Sequence, residues 1–181
     1  MNRSTINVLI AICLVLAGVS LRVLPHPANF APITAIAIFG GAMLPRRLAL
    51  WAPLAAMMAS DAIIGFHRLI PVTWGCFALI ALASSYWMGK PTVLRGASLA
   101  IGSSVFFFLV TNFAVWLWGG MYAHNLAGLS QCFTMALPFF RNTLLSDLFY
   151  TGALFGLYWL GIRLSALYFS KAGHVLHDSR A

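Results

Sequence analysis

ASLAIGSSVFFFLVTNFAVWLW, residues 97–118, runs through 22 positions without one charged side chain. The hydrocarbon core of a bilayer is about 30 Å thick, and a helix needs about 20 apolar residues to cross it. Similar runs cover most of the chain, which is 61% hydrophobic and only 8% charged. Soluble domains carry about 25% charged residues. The sequence therefore predicts an all-α integral membrane protein in a lipid bilayer.

Six apolar runs predict six transmembrane helices in a single transmembrane domain, residues 1–181. The predicted helices are 5–22, 32–44, 48–66, 71–88, 97–118 and 142–168. Residues 119–141 are less regular, with Gly119 and Gly120 at the start and Pro138 near the end. We interpret this segment as an outer loop with a partial helix that lies over the binding site described below.

The positive charges predict the orientation of the chain. Short cytoplasmic loops of membrane proteins carry an excess of Lys and Arg. One side of the predicted bundle has only Arg22, Arg68 and Arg141. The other side has Arg3, Arg46, Arg47, Lys90, Arg95, Arg163, Lys171 and Arg180. Both termini are therefore predicted in the cytoplasm, and because these charges are dispersed rather than clustered, nucleic acid is not a predicted partner.

Four polar residues lie at a similar predicted depth. Asp61, Cys76, Asn112 and Asp147 come from four different predicted helices, each five or six residues inside the outer end. At a rise of 1.5 Å per residue this places them about 7–9 Å below the outer surface. Below that level we find only Ser, Thr and Tyr hydroxyls, whereas a channel or proton relay needs polar groups across the whole depth. The pattern predicts a pocket that opens outward and is closed below.

The predicted outer loops and helix ends add further candidate binding residues around this pocket. They are His26, Asn29, Phe30, His67, Trp74, Trp116, Tyr122 and Arg141. Aromatic residues at this depth also form ordinary interfacial belts. Asp61 and Asp147 have an alternative role as well, which is to pair with outer arginines and fix helix packing. We predict that both bind ligand, because intramembrane acids are costly and mark functional sites.

Cys76 is the candidate metal ligand. A thiolate suits soft transition metals, but no second cysteine or spaced histidine pair lies near it to close a zinc site. A single thiolate can still serve as one axial ligand of a metal that a macrocycle already holds. The alternative is a packing role, which is the usual one for a cysteine in a membrane helix.

Three segments carry a resemblance to a known family: RVLPHPANFAPITAIAIFGGAMLPRR at 22–47, SDAIIGFHRL at 60–69 and PVTWGCFAL at 71–79. They resemble a bacterial inner-membrane family related to the substrate-binding S components of energy-coupling factor (ECF) vitamin transporters. The resemblance implies an S-component-like bundle of six helices with both termini inside and an outward pocket. Cys76 makes the cobalamin-transporting relatives the most similar.

The resemblance implies uptake of cobalamin across the inner membrane, as a transported, cobalt-containing ligand. Cys76 would then be the axial cobalt ligand, with the nucleotide base displaced. Its thiolate could also assist removal of the upper cobalt ligand, but we expect a transporter and not an enzyme.

Two alternatives remain open at this point. The first is an S-component-like binder or transporter for another vitamin or a metal ion. The second is an intramembrane enzyme with Cys76 as nucleophile and His67 as base. Whether the protein needs an ATPase energising module as partner is also open. S components carry an Ala-x-x-x-Ala pattern in helix 1, but here Ala11 and Ala17 are six apart. The chain has no Walker motif of its own, so it either works alone or relies on such a module.

Overall fold

The computed structural model describes residues 2–89 and 91–178, with residues 165–178 given only as the path of a helix. Lys90, Arg180 and the side chain of Lys171, which entered the prediction of orientation, lie outside the described residues. The described chain is all-helical. Its six helices are α1 Arg3–Val23, α2 Ile33–Met43, α3 Arg46–Ile64, α4 Ile70–Trp87, α5 Val93–Trp118 and α6 Leu126–Asp178.

The prediction for residues 119–141 is correct in that a loop and a helix follow α5, but the helix is the first part of α6 and not a separate partial helix, so the predicted start of the last helix at residue 142 is wrong. Helix α6 begins at Leu126 and continues through Pro138, so only residues 119–125 link it to α5. Proline lacks the backbone N–H and normally breaks a helix, but here tertiary packing overrides that preference. Cys132 Sγ donates to the Asn112 carbonyl oxygen of α5 at 3.4 Å, and the ring of Phe133 lies 5.4 Å from that of Phe108. The pairing with α5 thus holds α6 together past the proline.

Helix α2 is the centre of the bundle. It packs against all five other helices, and every residue from Ile33 to Gly41 is buried. Residues without bulky side chains allow the neighbouring helices to approach α2 closely. At Gly41 even a Cβ atom would clash with α4, because it would lie 2.5 Å from the Ala81 carbonyl oxygen and 2.6 Å from Ser84 Cβ. With 11 residues, α2 is only about 16 Å long at 1.5 Å per residue. It therefore spans only about half the length of the longer helices around it.

The outer faces of the longer helices are apolar. Helices α1, α3, α4 and α5 are each long and apolar enough, by length and composition, to cross a membrane. Leu9, Ile12 and Leu16 on α1 are 45%, 48% and 61% exposed, and similar side chains are exposed on α5 and α6. Soluble monomers rarely expose apolar surface on this scale. The exposed apolar surface is therefore compatible with a membrane protein.

The close approach of α2 and α4 at Gly41 yields a testable prediction. Gly41→Ala forces the added methyl group against the α4 backbone, and overpacking of this kind costs roughly 1–3 kcal/mol. We expect the variant to have a lower midpoint of thermal unfolding in detergent than the wild type. Fluorescence-detected size exclusion after heating measures this midpoint.

Gly102→Ala on α5 is the matched control, because nothing lies within 4 Å of a Cβ at that position and alanine is the better helix former. Equal midpoints for the two variants would contradict the packing described here.

Candidate functional site

A cavity of about 400 Å³ lies above the amino-terminal end of α2. Asn29 and His67 line it and are exposed, so it opens between loop 24–32 and loop 65–69. These loops lie at the same end of the bundle, which is the end predicted to face outward. Thr34 of α2, Phe77 of α4 and Asp147 of α6 line its inner part.

The predicted common depth of four polar residues does not hold for Asp147. Since α6 begins at Leu126, Asp147 lies 21 residues into the helix and not about five. Its partner Ser104 is 11 residues above Val93 at the inner end of α5, or roughly 16 Å. Asn112 is 19 residues above Val93, or roughly 28 Å. Asp147 thus lies deeper than Asn112, near the middle of the bundle. The prediction that only Ser, Thr and Tyr hydroxyls lie below the outer level, which argued against a proton relay, is therefore wrong at this position.

Asp61 is part of a buried network that joins three helices. Arg22 Nη1 lies 2.5 Å from Asp61 Oδ1 and 2.5 Å from Ser60 Oγ. The indole N–H of Trp74 donates to Asp61 Oδ2 at 2.8 Å. These contacts are the packing role that the sequence left as an alternative for Asp61. Arg22 itself lines the cavity, and Asp61 holds it there.

The loop between α1 and α2 contributes one of its three candidate residues to the cavity. Asn29 lines it and has a φ of 60°, a left-handed conformation that asparagine tolerates better than most residues. The ring nitrogens of His26 contact the Arg22 and Pro27 carbonyl oxygens at 2.9 and 2.8 Å, which holds the ring between the last turn of α1 and its own loop. Phe30 packs against Tyr150, with ring centroids 5.7 Å apart.

Side chains of α6 anchor this loop above α2. Asn142 Nδ2 donates to the Ala28 carbonyl oxygen at 3.0 Å, and Ser146 Oγ donates to that of Ala31 at 3.1 Å. Both partners lie far away in sequence, so the covering of the cavity is a tertiary feature.

Three candidate residues of α5, the α5–α6 connection and α6 do not line the cavity. The indole N–H of Trp116 donates to the Ala123 carbonyl oxygen at 2.9 Å, and its ring packs 5.5 Å from that of His124. Neither Trp116, Tyr122 nor Arg141 is among the residues that line the cavity. Asn112 does line it, while its side-chain amide donates to the Phe108 carbonyl oxygen at 2.7 Å.

Cys76 lies beside the cavity and does not line it. It is 2% exposed and precedes the cavity residue Phe77, about 100° away around the helix. No group of three His, Cys, Asp or Glu side chains in the described residues is placed to hold a metal ion. His67 lines the mouth, and no hydrogen bond joins it to Cys76 in the part of the chain that the structure describes. The metal role of Cys76 stays a prediction.

Sequence reasoning missed most of the lining. Threonine hydroxyls and phenylalanine rings make up much of it, namely Thr73, Thr111, Thr143, Phe107, Phe108, Phe139 and Phe140. On α5 these positions recur every three to four residues, the spacing of one helix face. The signal was present, but the opposite face of α5 is equally apolar because it forms the outer surface. Periodicity alone therefore does not distinguish the cavity-lining face of α5 from its outer face.

A family model described as "Family of unknown function (DUF6580)" matches residues 2–167. The chain belongs to this family. No curated protein and no solved structure matches the chain. Every residue that lines the cavity in this DUF6580 protein falls inside the matched region.

The network around Asp61 yields the next prediction. In the DUF6580 protein, Arg22→Ala leaves the Asp61 carboxylate buried without its cation, a change that costs roughly 3 kcal/mol or more. We expect a marked fall in the midpoint of thermal unfolding in detergent.

Arg68→Ala is the control, since Arg68 is an exposed arginine at the same end of the bundle. We expect Asp61→Asn, added to Arg22→Ala, to recover part of the loss because it removes the unpaired charge. A fall that is equal for Arg22→Ala and Arg68→Ala would show that the ion pair contributes little.

Proposed function

We propose that the DUF6580 protein is an integral protein of the bacterial inner membrane that binds a vitamin from outside the cell and mediates its uptake. The observation that carries this proposal is the cavity, which opens at one end of the bundle and ends at α2 on the other. A pocket of about 400 Å³ lined by aromatic side chains with a few polar groups is typical of small-molecule sites.

The proposed topology has six spans with both termini in the cytoplasm. The four long apolar helices support it, together with the apolar outer surface of α6. Arg46 and Arg47 begin α3 at the end opposite the cavity mouth, as expected for the cytoplasmic side. The short helix α2 is shielded by its neighbours and needs no contact with lipid.

Cobalamin is the ligand that we propose first. The segments on which the resemblance to ECF S components rests also build the cavity: residues 22–47 supply Arg22, Asn29 and Thr34, and residues 60–79 supply His67 and Phe77. Cys76 lies within the second of these segments, next to a cavity residue. We propose it as the axial ligand of the cobalt.

Binding of cobalamin requires a wider cavity than the one in this structure. Pockets for drug-sized ligands take about 300–1,000 Å³, and a corrinoid is larger than such ligands, so 400 Å³ does not enclose it. The outer loops would have to separate and α4 would have to turn to uncover Cys76. Gly75, which precedes Cys76 and has nothing within 4 Å of a Cβ position, makes α4 easier to reshape at this point.

Visible spectroscopy tests the ligand and the role of Cys76 together. After growth with cobalamin, we expect corrin absorption bands in the purified wild-type protein and shifted bands in Cys76→Ala, because the thiolate no longer coordinates cobalt.

Cys132→Ala is the matched control, as Cys132 is the other buried free cysteine, and it should leave the spectrum unchanged. Bands that are identical in wild type and Cys76→Ala would overturn the ligation. A colourless protein that also takes up no added cobalamin would overturn the choice of ligand.

A smaller vitamin is the second candidate, and the volume of the cavity favours it. A ligand of ordinary metabolite size fits 400 Å³ without any rearrangement. Under this alternative, Cys76 is a packing residue and needs no access to the cavity.

Filling the cavity tests this alternative. Thr111→Trp places an indole ring into the cavity from α5, and we expect it to abolish co-purification of a small molecule detected by mass spectrometry of the extracted protein. The control is Val105→Trp, on the exposed face of the same helix. Retention of the same molecule by both variants would show that it binds elsewhere.

An ATPase module remains a proposed but optional partner. The Ala-x-x-x-Ala pair Ala52 and Ala56 of α3 is buried, and a Cβ placed on Gly18 of α1 would lie 3.0 Å from that of Ala56. This pair therefore serves the packing of α1 on α3, as small residues do in membrane bundles. In the overlapping pair Ala55 and Ala59, Ala55 is half-buried and Ala59 is exposed, so Ala59 is the alanine that a partner helix could contact.

A further inference from the structure

Asp147 is a buried acid whose partners are hydroxyl groups. It is 2% exposed and lines the inner part of the cavity. Ser104 Oγ lies 2.6 Å from its Oδ2, and the side chain of Thr34 also hydrogen-bonds to it. Within the described residues no Lys, Arg or His forms an ion pair with it. Asp61, the other buried acid among the described side chains, has Arg22 at 2.5 Å, so the two acids differ in that only Asp61 is paired with a cation there.

The position of Asp147 makes a permanent negative charge unfavourable. It lies roughly 16 Å above the inner end of α5, about half the thickness of a hydrocarbon core. A carboxylate without a cation is costly in such an environment. The amino-terminal end of α2 offers a partial positive charge nearby, but no backbone N–H of the described chain donates to Asp147, so this end offsets the cost only in part.

The hydrogen bonds around Ser104 accommodate both charge states. Its hydroxyl carries one hydrogen but lies 2.9 Å from the Ala100 carbonyl oxygen and 2.6 Å from Asp147 Oδ2. When the hydroxyl donates to Asp147, the carboxylate is stabilised. When it donates to Ala100, the short contact to Asp147 requires a proton on the carboxyl. Rotation of this one hydroxyl therefore gives Asp147 a suitable hydrogen-bond partner both with and without a proton.

The surroundings leave Asp147 as the deepest titratable group of the cavity. Arg22 and His67 also line the cavity, both near its mouth. α2 carries no titratable side chain. The titratable side chains of α3, α4 and α5 that do not line the cavity are Arg46, Arg47, Asp61, Cys76, Tyr86 and Arg95.

We propose that Asp147 binds and releases a proton that reaches it from outside through the cavity. On protonation the carboxylate takes up one proton, and the Ser104 hydroxyl turns from Asp147 to the Ala100 carbonyl oxygen; deprotonation reverses both changes. Thr151, one turn further inward on α6, is buried and its hydroxyl has no partner among the described residues. It offers the next donor and acceptor on the inner side.

This site would couple ligand uptake to the proton gradient, a step that rests on the proposed uptake function. A chain without a nucleotide-binding motif needs another source of energy if it works alone. A proton that enters with the ligand and leaves on the cytoplasmic side would supply it.

Infrared spectroscopy of the purified, ligand-free protein tests the proton site without knowledge of the ligand. Between about pH 5 and about pH 7 an ordinary aspartate is ionised. We expect the C=O stretching band of a protonated carboxylic acid in the wild type over this range, and its loss in alkaline buffer. The band should be absent in Asp147→Asn and shifted in Ser104→Ala, which removes one hydrogen-bond partner.

Asp61→Asn is the matched control and should leave the band in place, because Asp61 is paired with Arg22. If Asp147→Asn does not fold, the shift in Ser104→Ala still identifies the carboxyl. The proposal is overturned if no such band exists in this range, or if the band is unchanged in every variant of Asp147 and Ser104.

Uptake of cyanocobalamin into proteoliposomes tests the coupling. We expect faster uptake when the outside is acidic than at equal pH on both sides, and loss of this response in Asp147→Asn. Uptake that responds equally in wild type and variant would overturn the coupling while leaving the proposed function intact. Absence of uptake under every condition would count against the proposed ligand and the coupling, and the infrared result on the proton site would still stand.

Discussion

The length of α2 is the constraint on which the rest of the structure depends. A helix of 11 residues covers only about half of a hydrocarbon core at 1.5 Å per residue. It is buried on all sides, so the five surrounding helices close around it along its length and leave a space above its amino-terminal end. The cavity is that space, and loop 24–32 lies over it because it must connect the outer end of α1 to the middle of the bundle.

Two buried acids illustrate two solutions to one physical problem. Asp61 has a cation, an indole N–H and a neighbouring serine hydroxyl in its network, and these contacts hold α1, α3 and α4 together. Asp147 has hydroxyl groups alone among its described partners, and its charge is free to change. The first acid positions the mouth of the cavity, whereas the second lies where a ligand from outside would arrive.

Some of the candidate site was predictable from the sequence and some was not. Asp147, Asn112, His67 and Asn29 were chosen as rare polar groups near apolar runs, and all four line the cavity. Asp147 was placed at the wrong depth because Pro138 indicated a helix start after it, whereas contacts with α5 carry the helix through the proline. Trp116 and Tyr122 have the composition of a binding loop, but neither lines the cavity, and Trp116 packs within its own segment.

The sequence by itself determined that the chain is a set of apolar helices, and it determined the approximate bounds of the first five. This follows because the need to satisfy every backbone group in an apolar environment leaves helices as the simplest solution, and apolar runs reveal them directly. Only the tertiary structure decided which polar residues meet. The partners of Asp61 and Asp147 lie on other helices: Arg22 is 39 positions from Asp61, and Ser104 is 43 positions from Asp147. Thr34 lies still farther from Asp147 in the chain, and no local pattern encodes such distances. Whether a buried acid finds an arginine or a hydroxyl therefore depended on how the helices pack around α2.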